Sequence, residues 1–346
     1  MKPEALKLIA DLNKQFGAGT VVLASQVKTI GRMTTGSLAL DVILGGGWPV
    51  NQWVELIGDP SHGKTTIALK TIAANQERDP EFTAAWVAAE AWSKSLAQMC
   101  GVDVDRVILI ESNVMEDAYE AAIKFAESRT VDMLVIDSLP ALVPHTEDEK
   151  AMEESTVGRS ALLTNKFFRK VGKATKRDLV DEDRPFLGIM INQWRMKIGV
   201  MHGDPRTSPG GMGKDFAYAV RCEVRRDEWI EVGTGNAKTR VGQGTRIRTI
   251  KNKTAPPQRV AYVDFYFDEG GAITPGDYDY AKEIVSLGVV YNLIERRGAW
   301  FYYGTDQWQG AAKLLDSIRE DVVLKERLEK DVLAVAMRAL NADEST

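Results

Sequence analysis

Short runs of apolar residues alternate with longer amphipathic segments across residues 50–200. Buried strands are predicted at the apolar runs, which cover residues 53–57, 84–89, 107–110, 133–137 and 186–191. Helices are predicted between them, where apolar residues recur at helical spacing in residues 66–73, 93–100, 116–128 and 156–176. Strands that are apolar throughout and alternate with helices are typical of a mostly parallel sheet covered by helices on both faces. The pattern therefore predicts an α/β fold.

Beyond residue 215 the continuous apolar runs give way to alternating polar and apolar residues. The alternation occurs at residues 221–226, 245–251 and 260–267, with Gly-rich turns between the segments. Alternation of this kind is typical of antiparallel strands. We therefore expect antiparallel strands that extend the parallel sheet.

Two further segments flank this core. Residues 3–16 have apolar positions at helical spacing and end at Gly17, which predicts a helix that either packs on its own domain or docks on another subunit. Pro275 and Gly276 predict a linker before a small, helix-rich domain. The predicted parts of the chain are residues 1–30, 31–273 and 274–346.

The composition is that of an ordinary globular protein. Of the 346 residues, 44% are hydrophobic and 27% charged, and the net charge of −5 argues neither for nor against a nucleic-acid partner. The two cysteines, Cys100 and Cys222, lie far apart, and with three histidines they predict neither a disulfide framework nor a zinc site. The sequence has no apolar signal region and no apolar run of about 18 residues, so we expect a cytoplasmic protein.

One motif joins the strand at 53–57 to the helix at 66–73 and has the pattern G-x-x-x-x-G-K-S/T. It consists of Gly58, Asp59, Pro60, Ser61, His62, Gly63, Lys64, Thr65 and Thr66. In such a phosphate-binding loop (P-loop), backbone N–H groups surround phosphate oxygens and the lysine contacts the β- and γ-phosphates. The hydroxyl after the lysine is a Mg²⁺ ligand, and the N-terminus of the following helix faces the anion. The motif predicts a site for a nucleoside triphosphate and Mg²⁺.

Three polar residues stand at the ends of predicted strands. Asp137 ends the run at 133–137, where it either supports Mg²⁺ together with Thr65 or caps the next turn. Glu90 follows another strand and is placed to polarise an attacking water, although a glutamate at a strand end is often only solvated. Gln193 follows a third strand, where its amide can bind the γ-phosphate and report its presence to the next segment.

Two segments are rich in basic residues. Residues 194–211 mix basic, apolar, Gly and Pro residues without a helix or strand period, which suits either a loop on a nucleic-acid backbone or an ordinary mobile loop. Residues 238–259 contain seven Lys or Arg residues and no acid. That run is either a solvated face or a source of cations that act on the ATP of a neighbouring subunit.

Several stretches together resemble the bacterial RecA recombinase family. They are residues 33–41, the P-loop with its second threonine, and residues 88–90, 134–138, 191–201, 251–253, 288–289 and 298–300. They occur in the family's order over nearly the whole chain. The stretch at 192–199, Asn-Gln-Trp-Arg-Met-Lys-Ile-Gly, is highly specific. It separates the chain from hexameric helicases and circadian-clock ATPases that share the same core.

The resemblance implies a RecA-type P-loop ATPase core with a short N-terminal helical arm and a small α+β C-terminal domain. It implies a DNA-dependent ATPase that uses ATP and Mg²⁺ and assembles head-to-tail into a helical filament on single-stranded DNA. Homologous pairing and strand exchange with double-stranded DNA are the implied activities. Roles in recombination, DNA repair and the SOS response to DNA damage are implied as well, with single-strand-binding and loader proteins as further partners.

The resemblance also implies roles for individual residues. Glu90 activates water, Gln193 couples ATP to a DNA-binding loop, and Lys251 with Lys253 reaches the neighbouring protomer's ATP. Phe216 belongs to the protomer interface. The two DNA-binding loops are residues 145–158 and 195–211. The implied DNA-contacting or coupling residues are Arg169, Arg195, Met196, Lys197, Ile198, Gly199, Val200, Gly210, Gly211 and Arg221.

The sequence departs from the family at several positions. Leu96 stands where the family often has a tyrosine that stacks on adenine, and we expect Phe267 of the neighbouring protomer to compensate. Asp215 replaces a lysine expected before Phe216, with Lys214 beside it. The sequence ends without the long acidic tail common in the family, which predicts less autoinhibition. These departures predict a divergent member, of bacterial or phage origin.

Two other classes of protein share parts of this pattern. A ring helicase or translocating motor would share the P-loop, Asp137 and Glu90, but it would need an arginine finger from a neighbour and would unwind duplex DNA without a homologous partner. A regulatory filament protein would bind ATP and DNA but barely hydrolyse ATP. The presence of Glu90 argues against that class.

Overall fold

The computed structural model of the protein describes residues 1–145, 158–175, 185–196 and 205–343. Within these ranges the helices are α1 (Pro3–Phe16), α2 (Leu38–Leu44), α3 (Lys64–Arg78), α4 (Lys94–Met99), α5 (Met115–Ser128), α6 (Arg159–Ala174), α7 (Gly213–Ala217), α8 (Tyr280–Val290), α9 (Ala311–Glu320) and α10 (Val322–Asp343). Short 3₁₀ turns lie at Ala24–Gln26, Val104–Arg106, Leu139–Ala141 and Gly235–Ala237. None of the described helices is both long and apolar enough to span a membrane.

The described strands are β1 (Arg32–Met33), β2 (Trp48–Pro49), β3 (Gln52–Ile57), β4 (Ala84–Ala88), β5 (Val107–Ile110), β6 (Met133–Asp137), β7 (Leu187–Asn192), β8 (Arg195–Met196), β9 (Arg206–Thr207), β10 (Val220–Val232), β11 (Thr239–Asn252), β12 (Val260–Tyr266), β13 (Glu295–Arg297), β14 (Trp300–Tyr303) and β15 (Asp306–Gln309). The five apolar runs of the sequence are β3 to β7. The predicted helices lie between them.

An eight-stranded sheet forms the centre of the fold, in the order β12-β11-β10-β3-β7-β6-β4-β5. The five strands predicted from apolar runs pair in parallel, and Ile189 of β7 lies between Val54 of β3 and Val135 of β6. Strand β10 runs parallel to β3 but antiparallel to β11, which is antiparallel to β12. The prediction of a mostly parallel α/β sheet with an antiparallel extension is confirmed.

Helices cover both faces of the sheet. On one face Ile67 and Ile72 of α3 belong to a buried cluster with Leu56. On the other face α5 and α6 enclose Trp53, whose ring meets the Phe167 ring almost at right angles with 5.1 Å between centroids. Both faces of β3, β4, β6 and β7 are therefore buried, which explains their continuous apolar sequences. The edge strand β5 is different, because Ile108 and Leu109 are 44% and 45% exposed. The ends of β3, β4, β6 and β7 meet at one edge of the sheet, where polar loops can converge.

A smaller α+β unit follows the central sheet. The three-stranded antiparallel sheet β13-β14-β15 packs with helices α8 to α10. The buried cluster of this unit includes Ile284, Leu314 and Leu328, together with Leu38 and Val42 of α2. Helix α2, although early in the sequence, thus shares its core with the C-terminal unit.

The segment predicted as a linker is packed against the core. Gly276 has φ of +96°, and a Cβ atom there would lie 1.7 Å from the carbonyl oxygen of Met99 in α4. The N–H of Gly276 also donates to the carbonyl oxygen of Tyr266 at 2.7 Å. Only glycine fits this close approach. The boundaries at residues 30 and 273 stay predictions.

Most of the apolar side chains of helix α1 are exposed, and Ile9 and Leu12 are half-buried. No residue of this helix, which the structure describes in full, is buried. Leu6 and Phe16 are 49% and 61% exposed. An amphipathic helix with an uncovered apolar face is typical of a docking element. Within the described residues, the expectation that α1 packs on its own domain is therefore not met.

Candidate active site

The predicted P-loop connects β3 to α3. A Cβ atom on Gly58 would lie 2.0 Å from the carbonyl oxygen of Val224, and Gly63 has φ of +92°, so both positions require glycine. Lys64 is buried, and its Nζ donates to the carbonyl oxygens of Gly58 at 3.0 Å and Asp59 at 2.7 Å. Burial lowers the pKa of the Lys64 ammonium. The lysine is therefore held inside the loop by the loop's own carbonyl groups. The tip is exposed at Asp59, Pro60 and Ser61, and the half-buried residues are His62, Thr65 and Thr66.

A hydroxyl and a carboxylate meet where α3 begins and β6 ends. The Thr65 Oγ1 hydroxyl donates to Asp137 Oδ2 at 2.9 Å. Asp137 is 8% exposed, and burial raises the pKa of its carboxyl to about 6, with the nearby Glu90 acting in the same direction. Oxygen atoms of these types are the ligands that Mg²⁺ prefers.

No group of three or more His, Cys, Asp or Glu side chains in the described part of the chain could hold a metal. A Mg²⁺ ion bound at Thr65 and Asp137 would therefore take its remaining ligands from phosphate oxygens and water, as Mg²⁺ does in nucleotide sites. The donor pair fits the predicted ion.

Glu90 follows β4 and is exposed. Its carboxylate accepts a hydrogen bond from the Ser138 hydroxyl, and its backbone N–H donates to the carbonyl oxygen of Asp137 at 3.1 Å. The peptide bond between Asp137 and Ser138 is cis. A solvent-accessible carboxylate beside the Thr65–Asp137 pair can accept a proton from water.

Gln193 follows β7 and faces the same space. Its Nε2 lies 3.5 Å from Glu90 Oε1. The preceding Asn192 holds the strand end in place, because its amide donates to Glu55 Oε1 at 2.8 Å and its Oδ1 accepts from the Gln193 N–H at 2.9 Å. Gln193 thus lies between Glu90 and the segment predicted to bind DNA.

The two described ends of that segment pair with each other as short antiparallel strands. Arg195 and Met196 form β8, which pairs with β9, and both side chains are exposed. Gly210 and Gly211, near the return of the segment, have φ of +92° and +72°. Arg169 is exposed on α6. The predicted DNA-binding residues Lys197, Ile198, Gly199 and Val200 lie outside the described residues, as do residues 146–157 of the first predicted loop.

Arg221 takes part in a buried ion pair. Its Nε donates to Glu55 Oε2 at 2.6 Å, and Glu55 is fully buried in β3. Asp215 lies 3.3 Å from the same guanidinium and accepts a hydrogen bond from Lys214 Nζ at 2.7 Å. Arg221 faces Glu55, so a coupling role suits it better than a direct DNA contact, and both stay predictions. Sequence reasoning missed Glu55 because it lies inside an apolar run with no visible partner.

The predicted trans-acting lysines lie beside an exposed aromatic residue. Lys251 Nζ donates to the carbonyl oxygen of Asp215, and Lys253 Nζ donates to that of Phe216 at 2.9 Å. Burial, with Lys253 nearby, lowers the pKa of Lys251 to about 8. Phe216 is 78% exposed. In the register of β11 against β10, Lys251 lies opposite Arg221, near the start of β10. The P-loop of the same chain lies next to Val224, which is further along β10.

A cavity of about 320 Å³ opens beside the P-loop. Besides residues 61–66, its lining residues are Leu96, Trp229, Gln243, Phe265 and Phe267. Leu96 lies where an adenine-stacking residue was expected. Phe267 lies at the P-loop of its own chain, and the expectation that it reaches the nucleotide of a neighbouring protomer stays a prediction. The N–H of Phe267 donates to the carbonyl oxygen of Val241 at 2.9 Å, which fixes the end of β12 above the loop.

Trp229 was missed by sequence reasoning. The predicted strand ended at residue 226, whereas β10 continues to Val232. The Trp229 ring meets the Phe267 ring at 90° with 6.3 Å between centroids. The apolar residues Trp229, Ile230 and Val232 were the available signal, but they could not reveal that the strand crosses the P-loop.

Comparison with known proteins shows the family of the chain. The model of the RecA N-terminal domain matches residues 4–272. The chain is 37% identical to Protein RecA of Lactococcus lactis subsp. cremoris over 317 residues, covering 90% of this chain and 78% of the relative. It is 36% identical to Protein RecA of Roseiflexus castenholzii over 349 residues (98% and 94%) and 39% identical to that of Bacillus pumilus over 299 residues (85% and 81%). The chain therefore belongs to the bacterial RecA family, whose members bind ATP and act in DNA recombination and repair.

Proposed function

We propose that this chain is a DNA-dependent ATPase that forms a helical filament on single-stranded DNA and catalyses homologous pairing and strand exchange. One series of contacts carries the proposal, and it runs from the P-loop to the predicted DNA-binding segment. Thr65 bonds to Asp137, the adjacent Ser138 bonds to Glu90, and Glu90 faces Gln193. Gln193 precedes β8 by two positions, so a change at the phosphates can reach the DNA-binding segment.

In this proposal the P-loop binds ATP through its backbone N–H groups and Lys64. Thr65, at the start of α3, and Asp137, at the end of β6, would hold Mg²⁺. The bound ion would supply positive charge to the phosphate oxygens. Glu90 orients the attacking water and accepts its proton. The hydrogen bond from Ser138 to Glu90 supports this role, because it fixes the direction in which the carboxylate points.

Coupling between ATP and DNA depends on Gln193. The 3.5 Å contact with Glu90 is long for a hydrogen bond, so the amide can exchange it for a γ-phosphate oxygen at little cost. That exchange moves the start of β8 and so changes how the segment from Arg195 to Gly211 contacts DNA. Hydrolysis removes the γ-phosphate and releases the segment, as in other γ-phosphate switches.

Filament assembly brings Lys251 and Lys253 to the ATP of the adjacent protomer. Their backbone partners lie beside the exposed Phe216, which supports a role for this surface in contact with another subunit. The uncovered apolar face of α1 supplies a second docking element. A head-to-tail contact of two different surfaces that does not close generates a helical filament.

In this proposal, residues of the two predicted loops and Arg169 bind the sugar-phosphate backbone of the DNA. Contacts of this kind give little sequence preference and strong salt dependence. Homology is then recognised by base pairing between the bound strand and duplex DNA. Single-strand-binding and loader proteins are proposed as further partners on family resemblance alone.

Strand exchange between a circular single strand and a homologous linear duplex tests this function. With ATP and Mg²⁺ we expect joint molecules, none with a heterologous duplex, and none with Lys64→Ala. Unwinding of the heterologous duplex would contradict the proposal and favour a translocating motor. Joint molecules formed without ATP would also contradict the coupling described above.

A further inference from the structure

The β10–β11 hairpin extends beyond the P-loop. Strand β10 has 13 residues, but its pairing with β3 covers Val220 to Glu223. Further along the hairpin, Trp229 lies opposite Gln243, and Gln243 lies opposite Phe265 on β12. All three line the 320 Å³ cavity, which the P-loop lines as well. The hairpin thus supplies a wall of the nucleotide site that the P-loop motif does not encode.

Contacts around Trp229 fix its indole above the loop. The Arg226 guanidinium lies 4.1 Å from the centre of the Trp229 ring, and its NH1 lies 3.4 Å from the carbonyl oxygen of Ser61 at the tip of the P-loop. Phe267 presents its ring at right angles to the indole. The indole is therefore held between the loop tip and the end of β12.

We infer that Trp229 is the residue on which the base of the bound nucleotide stacks. The inference rests on the proposed ATPase function and names the residue that supplies affinity for the base. Leu96 offers an aliphatic surface only, whereas an indole is the best stacking partner among protein side chains and accepts any base. The cavity volume is sufficient for a base, since small-molecule sites begin at about 300 Å³.

Arg240 also lies over the indole, with its guanidinium 4.7 Å from the ring centre. Its side chain is 58% exposed and lies 3.6 Å from Glu231. A solvated guanidinium gains less from an aromatic ring than a stacked base does, so a base replaces Arg240 on the ring. Arg226, which also reaches Ser61, keeps its place on the indole.

Calorimetric titration of the full-length protein tests the stack, with the non-hydrolysable analogue AMP-PNP and inorganic tripolyphosphate as separate ligands in Mg²⁺. Stacking of one base on an aromatic ring changes affinity by about 5- to 150-fold. Trp229→Ala should weaken AMP-PNP binding within that range and leave tripolyphosphate binding unchanged. Trp229→Phe should retain most of the AMP-PNP affinity. Trp300→Ala, which removes a tryptophan from β14, should bind both ligands like the wild type.

Two results would overturn the inference while sparing the proposed function. One is wild-type AMP-PNP affinity in Trp229→Ala. The other is an equal loss of AMP-PNP and tripolyphosphate binding, which would mean that Trp229 supports the loop and not the base. Wild-type protein that binds neither ligand would instead contradict the ATPase proposal, and the stack with it.

Discussion

The side-chain amide of Gln193 lies 3.5 Å from the carboxylate of Glu90. Gln193 follows β7 and Glu90 follows β4, with β6 between these strands in the sheet. At the end of β6, Asp137 accepts the hydrogen bond of Thr65 at 2.9 Å. Three strand ends therefore bring a proposed water-activating group, a proposed metal ligand and a proposed γ-phosphate sensor into one place. Each of the proposed roles can be tested separately.

Removing the amide should uncouple ATP hydrolysis from DNA. Gln193→Ala keeps Lys64, Thr65 and Glu90, so we expect hydrolysis without DNA to stay near its wild-type rate. Stimulation by single-stranded DNA should be lost, because no side chain connects the γ-phosphate to β8. The measurement is steady-state ATP hydrolysis over a range of DNA concentrations, with the exposed Gln307→Ala on β15 as control. Full stimulation in Gln193→Ala would contradict the coupling.

Glu90→Gln should reduce turnover and leave binding intact. General-base catalysis contributes about 10²–10⁴-fold to rate, and we expect a loss in that range. Glutamine has nearly the same shape and can still accept the hydrogen bond of Ser138, so AMP-PNP affinity should be unchanged. Glu111→Gln is the matched control, since Glu111 is exposed and follows the edge strand β5. Wild-type turnover in Glu90→Gln would refute the catalytic role.

Two inactive variants should restore activity when mixed. Lys64→Ala lacks a P-loop lysine, and a Lys251→Ala/Lys253→Ala double variant lacks the proposed trans-acting pair. In a random mixed filament, roughly a quarter of the interfaces combine an intact P-loop with an intact lysine pair. We therefore expect DNA-dependent hydrolysis near that fraction of the wild-type rate.

Lys238→Ala serves as the control for the loss of a lysine from the same basic segment, because Lys238 is exposed and lies 3.4 Å from Glu231. It should hydrolyse ATP like the wild type. A mixture that stays inactive while both variants still bind DNA would indicate that the lysines act within their own chain.

Stability should depend on pH through Glu283. This residue is 4% exposed on α8, and its carboxyl oxygens accept hydrogen bonds from Ser37 Oγ and from the Ala39 N–H, both at 2.9 Å. Burial raises the pKa of Glu283 from its ordinary 4.5 to about 8. The folded state therefore holds this proton more tightly than the unfolded state. The resulting stabilisation is complete below pH 4.5 and is lost as the pH rises to about 8.

Glu283→Gln removes the charge and keeps an acceptor for Ser37 and Ala39. We expect its free energy of unfolding to exceed the wild-type value at pH 8 by about 2–4 kcal/mol, and the difference to shrink towards pH 5. Unfolding in denaturant at several pH values measures this, with the exposed Glu326→Gln as control. A difference that does not change with pH would contradict the assignment.

The parallel half of the sheet could be predicted from sequence because its signals are local. A buried parallel strand is apolar along its whole length, and the P-loop requires Gly58, Gly63 and Lys64 at fixed spacing. Once the strands were known, Asp137 and Glu90 could be placed near the loop, because the ends of parallel strands meet at one edge.

The remaining features depend on contacts between distant parts of the chain. The pairing of Glu55 with Arg221 depends on the register of β10 against β3, which neither segment encodes alone. Trp229 reaches the P-loop because the β10–β11 hairpin continues past the end of β3. The position of Phe267 beside the P-loop of its own chain follows from the lengths of β11 and β12 together. Local patterns do not contain such lengths and registers.

The central claim is that ATP hydrolysis and single-stranded DNA are coupled at one site. The most direct measurement is the rate of ATP hydrolysis by the full-length protein in Mg²⁺, with and without single-stranded DNA, beside Lys64→Ala. The account predicts strong stimulation by single-stranded DNA and no hydrolysis by Lys64→Ala in either condition. A wild-type rate that single-stranded DNA does not change would contradict the account.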